Sequence, residues 1–418
     1  MLRNGRRLEE LSRATSFILY RIDGIDQAKF RLPRQNQKTH ALDTLARPAL
    51  HVQGCWANGF GFHFAVADQD HFKDTTTNVE VIARMSESIY KKHSSMPLTL
   101  VILQDNTCRE CKNQKILKVV GKWVIAKIHK HVWLTYPEKG HSHGPLDAVF
   151  GQFTVKLGNE EFDDDEEVVE LIQGFLDDGF LELGTDKNAE AYKLDQAAQW
   201  VLWAEADLLF HCSEHTGKEA PHSFHVCLRQ DLSDEECLVE ATAWEGAPPA
   251  LGGDLVVALR ANMSDRKAFQ VALLAPHLTV ERLRRCAQDS GPPGIHPRRP
   301  VSQKDRQDMI HNAQKCYKAK AISKTTLDYL TEWCKGTRRQ HPRPKEYCFL
   351  RHRWSEATAV ADKGEHINPS AARYLDPKWV KVPRRITVVK DAKRAKAANL
   401  KPEAAEDGGD APLQILPG

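Results

Sequence analysis

The sequence lacks any apolar run near the ~20 residues needed to cross a bilayer. It also lacks a dense cysteine framework. Its ten cysteines are scattered: Cys55, Cys108, Cys111, Cys212, Cys227, Cys237, Cys286, Cys316, Cys334 and Cys348. No signal peptide is read at its start, so a reducing compartment is expected. These absences argue against a membrane protein and against a disulfide-stapled secreted domain. A soluble protein of the nucleus or cytoplasm is expected. Internal repeats are lacking too, which leaves no basis for a repeat architecture. Net charge is small, +3 over 418 residues. That balance hides an asymmetry. Residues 291–401 carry 26 Lys/Arg against 10 Asp/Glu, a local excess of 16. The remainder is therefore acidic, and the basic segment suits a polyanionic partner or a solvated lysine-rich tail.

What is present is enough apolar material, 41% of residues, for a real core. The length predicts two or three domains. Ser16 to Ile22 is rich in β-formers and leads into Asp23-Gly24-Ile25-Asp26. Ala49–Asn58 and Gly59–Ala67 read as two strands joined at Asn58-Gly59, a strong hairpin signal. Val79, Ile82, Ala83, Ser86 and Ile89 follow a helical period. The apolar run Leu98–Leu103 predicts a strand that stops just before Asp105. A helix is expected over 112–130. A further strand is expected over Val132–Tyr136, before Gly140-His141-Ser142-His143-Gly144. Pro145 is tolerated in a first helical turn, which places Asp147 at the start of the next helix. The acidic run over 159–170 reads as a solvated helix start, with a metal role as the lesser reading, and residues 190–210 read as another amphipathic helix. Strands are expected near 217–229, 239–244 and 254–260. A proline-rich linker then spans 290–300, and one or two helices are expected over 302–337.

Three strands, the first pair antiparallel, followed by alternating helices and strands, is the order of a ribonuclease-H-like core. The expected fold class is α/β: a ribonuclease-H-like mixed sheet with flanking helices. A smaller α+β region and a basic, partly disordered tail follow it. The expected division is 16–210 for the core, 211–290 for the small extension, 291–375 for a basic helical region and 376–418 for the tail.

Carboxylates from several strand ends suit two-metal phosphoryl chemistry, in which two Mg²⁺ ions activate the nucleophile and stabilise the leaving oxygen. The candidates are Asp23 or Asp26, Asp105 and Asp147. The Asp23/Asp26 choice stays open, because strand ends shift easily by a few residues. Lys29 could reach a phosphate. An Asp after a strand is also a common cap or turn residue. His141 and His143 could help bind zinc, orient substrate or metal-bound water, or simply satisfy a turn. Cys108-x-x-Cys111 has metal-ligand spacing, but no second such pair stands at a zinc-ribbon distance. The basic-aromatic stretch 338–354 suits a nucleic-acid backbone with base stacking, or a surface with snorkelling arginines.

At three of these places the sequence resembles a known group. Asp23-Gly24-Ile25-Asp26-Gln27-Ala28-Lys29-Phe30 is the first. Gln104-Asp105-Asn106-Thr107-Cys108-Arg109-Glu110-Cys111-Lys112-Asn113 is the second, and Gly140-His141-Ser142-His143-Gly144-Pro145-Leu146-Asp147 the third. The Lys73–Glu80 stretch resembles it too. The group is an uncharacterised eukaryotic, transposon-associated family with a ribonuclease-H-like, DDE-transposase-type core. The resemblance covers roughly residues 16–230. Ser142 stands where the family more often has threonine. Three motifs in the expected order are more specific than any one.

The resemblance implies descent from a mobile-element transposase. The expected function is a Mg²⁺- or Mn²⁺-dependent polynucleotidyl transferase or nuclease, using two ions for phosphodiester cleavage or strand transfer. Asp23, Asp26, Asp105 and Asp147 would be its catalytic metal ligands. Asn106, Arg109, Lys112, Asn113, His141, His143 and Lys29 would contact substrate or hold its loop. The expected partner is nucleic acid, DNA foremost, with no membrane and with oligomerisation left open. Two rivals are a non-catalytic nucleic-acid-binding protein that keeps the fold, and a protein-interaction module.

Overall fold

A computed structural model describes residues 17–25, 27–35, 40–43, 45–58, 60–69, 75–93, 96–105, 107, 110–125, 128–137, 145–158, 160–178, 188–195, 221–232, 255–260, 269–272 and 302–337. All of them fall within the compact unit 1–380. The strands are β1 (Phe17–Ile25), β2 (His51–Ala57), β3 (Gly61–Ala67), β4 (Thr99–Gln104), β5 (His131–Thr135), β6 (Asn188–Leu194), β7 (Ser223–Leu228), β8 (Leu255–Arg260) and β9 (Phe269–Ala272). The helices are α1 (His40–Asp43), α2 (Thr75–His93), α3 (Gln114–Ile125), α4 (Pro145–Leu157), α5 (Asp165–Asp177), α6 (Gln303–Lys318) and α7 (Lys324–Lys335). Among the described residues, no helix is long and apolar enough to cross a membrane.

The strands form one mixed sheet in the order β6-β3-β2-β1-β4-β5-β7-β8-β9. β1, β2 and β3 pair antiparallel, while β4 and β5 add in parallel to β1. That central order, 3-2-1-4-5, is ribonuclease-H-like. β6 adds in parallel to β3, and β7, β8 and β9 continue antiparallel from β5. The fold is thus a mixed parallel and antiparallel sheet flanked by helices, with α6 and α7 following it.

Side chains two residues apart share a sheet face, and the burial pattern sorts them cleanly. Ile18, Tyr20 and Ile22 of β1, with Leu100 and Ile102 of β4, pack against Val79, Ile82 and Ile89 of α2. Ile116, Val120 and Trp123 of α3 complete that core. The opposite face carries Ile25, Val52, Phe62 and Phe64, covered by Val149, Phe150 and Phe153 of α4 and by Ile172 and Phe175 of α5. Met309, Leu330 and Trp333 bring α6 and α7 onto this second core. Strands covered on both faces read as continuous apolar runs, which is why Leu98–Leu103 was legible.

Two local expectations change. The amphipathic helix expected over 190–210 begins instead as a strand, since residues 188–194 form β6. Ala, Glu, Lys and Leu favour helices, but the open edge of β3 pairs with this segment from Gly61↔Asn188 to Ala67↔Leu194. Tertiary pairing overrides propensity there. The first strand also runs past Ile22, so Asp23 lies inside β1. β2 is long enough to pair with Asp23, Gly24 and Ile25, whereas the β4 pairing stops at Ile22↔Gln104. The expected strand over 239–244, the basic-aromatic stretch 338–354 and the tail 376–418 lie outside the described residues.

Candidate metal centre

The first candidate site grows from the register of two adjacent parallel strands. Ile22 pairs with Gln104, so the next residues, Asp23 and Asp105, stand side by side at one sheet end. Both occupy positions of the face opposite α2, because Ile22 points into the α2 core. α4 covers that face: a Cβ placed on Gly54, the β2 partner of Asp23, would meet the Phe150 ring at 2.9 Å. Asp147 lies in the first turn of α4, directly after buried Leu146. The geometry therefore puts Asp23, Asp105 and the N-terminal turn bearing Asp147 on one face. Asp105 is exposed, while Asp23 and Asp147 are half-buried. The Gly24 amide donates to Asp23 Oδ1 at 2.8 Å, and the Thr107 hydroxyl donates to Asp105.

Behind the acids, the chain after β4 is tied down by buried polar groups. Gln104 Nε2 donates to the Cys111 carbonyl at 3.2 Å and to the Tyr136 hydroxyl at 3.3 Å. Tyr136 in turn donates to the same carbonyl at 3.0 Å. Asn78, in the first turn of α2, donates to the Glu110 carbonyl and to Cys111 Sγ. Asn113 Oδ1 accepts from the Lys115 and Ile116 amides and caps α3, while its amide donates to Thr75 Oγ1. Burial pushes the Cys111 thiol pKa up, and the negative charges of Glu110, Asp105 and Asp23 add to that rise. Both acids of the register pair thus lie within electrostatic reach of one thiol.

The two expected lysines sit differently from each other. Lys112 is only 1% exposed, with Nζ 5.6 Å from the centre of the Tyr136 ring and 5.7 Å from that of Phe224. Lys29 is half-buried and donates to Thr154 Oγ1 of α4 at 3.1 Å. Asp26, Asn106, Arg109, His141 and His143 lie outside the described residues, as does Cys108.

A second acidic group draws Asp165 from the run expected to be a solvated helix start, where it is instead only 2% exposed. Asp68 follows β3 and Asp195 follows β6, one step beyond the pair Ala67↔Leu194. Asp165 opens α5 above them. One carboxylate oxygen from each lies within 4.8 Å of the other two, and exposures are 4% for Asp68 and 2% for Asp165 and Asp195. Lys193 Nζ approaches Asp165 at 3.1 Å, Glu166 at 3.7 Å and Asp195 at 3.8 Å. The Tyr329 hydroxyl of α7 donates to Asp68 Oδ1 at 3.4 Å. Burial, with Asp68 and Asp165 nearby, drives the Tyr329 pKa well up. In the sequence, Asp165 belongs to the acidic run 159–170 and Asp68 and Asp195 each follow a strand, but residues 190–210 read as a helix. Such a group could in principle chelate a divalent metal, and with the sheet order it is consistent with a metal-binding nuclease or transferase fold.

The two acidic sites are separate. Asp23 aligns with Phe64 through Gly54, so Asp68 lies two strands over and four residues along. Strand spacing and rise make that on the order of 16 Å.

Comparison with known proteins adds one match. A family model described as a domain of unknown function (DUF7869) matches residues 40–241. No curated protein and no solved structure matches the chain. The matched span begins in α1 and runs past β7, so it takes in Asp105 and Asp147 but not β1. An uncharacterised domain of mixed α/β fold is compatible with a transposon-associated, ribonuclease-H-like family.

Proposed function

We propose that this chain is a transposon-derived, DDE-type polynucleotidyl transferase or nuclease acting on nucleic acid, DNA foremost. The observation that carries the reading is the parallel register Ile22↔Gln104, which sets Asp23 beside Asp105 on the face covered by α4. Asp23, Asp105 and Asp147 would hold Mg²⁺ or Mn²⁺. Half-buried and exposed carboxylates suit an ion that keeps several waters and takes substrate phosphates as ligands. Bound metal would supply charge stabilisation at phosphorus and an activated nucleophile. In this reading Asp23 takes the role left open between Asp23 and Asp26. Lys112 and Asn113 hold the segment after Asp105, and Lys29 ties the start of the chain to α4. Lys193 already brings a cation to the buried group of Asp68, Asp165 and Asp195, which favours the open site for substrate. The test is strand cleavage by the full chain in Mg²⁺, repeated with Asp105→Asn. Cleavage is expected in the first and not in the second. Equal cleavage by both proteins would overturn the assignment.

A further inference from the structure

A different kind of ligand set lies at the opposite end of the sheet. β5 opens with His131, and β7 carries His225 and Cys227 two residues apart. The antiparallel register sets His131 opposite Cys227 and Trp133 opposite His225. All three ligand-bearing residues therefore share one sheet face. One imidazole nitrogen from each histidine and the Cys227 sulfur all lie within 4.8 Å of one another. His131 Nδ1 and His225 Nε2 are 3.0 Å apart. Two nitrogens on one tetrahedral zinc, at the usual Zn–N distance, stand roughly 3.3 Å apart.

The surroundings fix the set. His225 stacks on Trp133, with ring centres 4.1 Å apart and planes 7° off parallel. The Arg260 guanidinium sits 4.8 Å from the Trp133 centre. Cys227 is fully buried, His225 is buried, and His131 is half-buried. Two imidazoles and a thiolate are soft-to-borderline donors that select zinc over magnesium. His131 aligns with Thr99 at the start of β4, whereas Asp105 follows its end. The set is thus roughly 20 Å along the strands from the acidic register pair.

We propose that His131, His225 and Cys227 form a zinc site that clamps β7 onto β5. Three protein ligands leave the fourth tetrahedral position to a water, and the place of the set between two paired strands gives it a structural role. β7 is the first strand of the β7-β8-β9 extension, and a three-ligand clamp across its register holds that extension to the central strands. The site is independent of the proposed phosphoryl chemistry, and either can fail alone.

The test uses the full chain, stripped of metal and titrated with Zn²⁺ against a chromophoric chelator, then with Co²⁺. One tightly bound equivalent, a thiolate-to-cobalt charge-transfer band and a zinc-dependent rise in Tm are expected. Cys227→Ser should abolish the band. His131→Asn should weaken zinc by about 100-fold or more, a loss at least as large as that from disturbing outer-shell partners. Far-ultraviolet circular dichroism checks that each variant folds. If Cys227→Ser does not fold, His131→Asn at the half-buried position decides alone. A chain that takes up no zinc would overturn the proposal. A band that survives Cys227→Ser in folded protein, or zinc affinity unchanged in His131→Asn, would do the same.

Discussion

The sheet bears two sets of carboxylates at the same end, and they differ in what surrounds them. Asp68, Asp165 and Asp195 are buried with Lys193 and a tyrosine hydroxyl. Asp23 and Asp105 come from adjacent strand ends, one half-buried and one exposed, beside backbone and hydroxyl donors. A buried charge must be paired or it shifts toward neutrality. An exposed one keeps its hydration and can exchange it for a ligand. The first arrangement therefore serves the fold, joining β3, β6, α5 and α7. The second is open to solvent.

That contrast fixes an order of expected effects. Lys193→Met should cost most, about 3–5 kcal/mol, because it strands buried Asp165 and Asp195 without their cation. Urea denaturation of the full chain measures it, and a loss under ~1 kcal/mol would mean that the cluster does not depend on Lys193. Gly54→Ala should come next. The added methyl would meet the Phe150 ring at 2.9 Å and force α4 outward, costing about 1–3 kcal/mol. The same variant should lower any Mg²⁺-dependent cleavage, since α4 carries Asp147. Ser323→Ala should cost about 1 kcal/mol, because Ser323 caps α7 through the Thr326 amide and also donates to Asp163. Asp105→Asn should leave stability within ~0.5 kcal/mol, as an exposed substitution does. A melt that separates Asp105→Asn sharply from the parent would erase the distinction between the two sets.

How far the sequence could be read follows the same division. β4 was legible because Leu98–Leu103 is a continuous apolar run ending at an acid. The 58–59 turn marked β2 and β3, and Pro145 marked the start of α4. Each of these signals is local. The cluster of Asp68, Asp165 and Asp195 was not legible as a whole, because Asp68 lies 97 residues before Asp165 and 127 before Asp195, and Asp68 and Asp195 meet once β6 pairs with β3. The β6 segment carries helix-forming residues and gives no warning of that pairing. His131, His225 and Cys227 were missed for a related reason. The spacing of His225 and Cys227 is a strand pattern, but the partner strand and its register supply the third ligand. Asp23 was visible, yet its place inside β1 was not, because only β2 pairing extends the strand that far. Registers decide what propensity cannot.

β1 has strands bonded along both sides, and Asp23 faces α4 only because an odd-numbered position of β1 does so. A strand's side chains alternate, so removing or inserting one residue between Phe17 and Ile22 would turn Asp23 toward the α2 core. The same change in a surface loop would leave the acids in place. Length variation among relatives should therefore be tolerated in the connections and purged from β1. Counting residues between Phe17 and Asp23 would show which relatives keep that carboxylate on the α4 face without any assay.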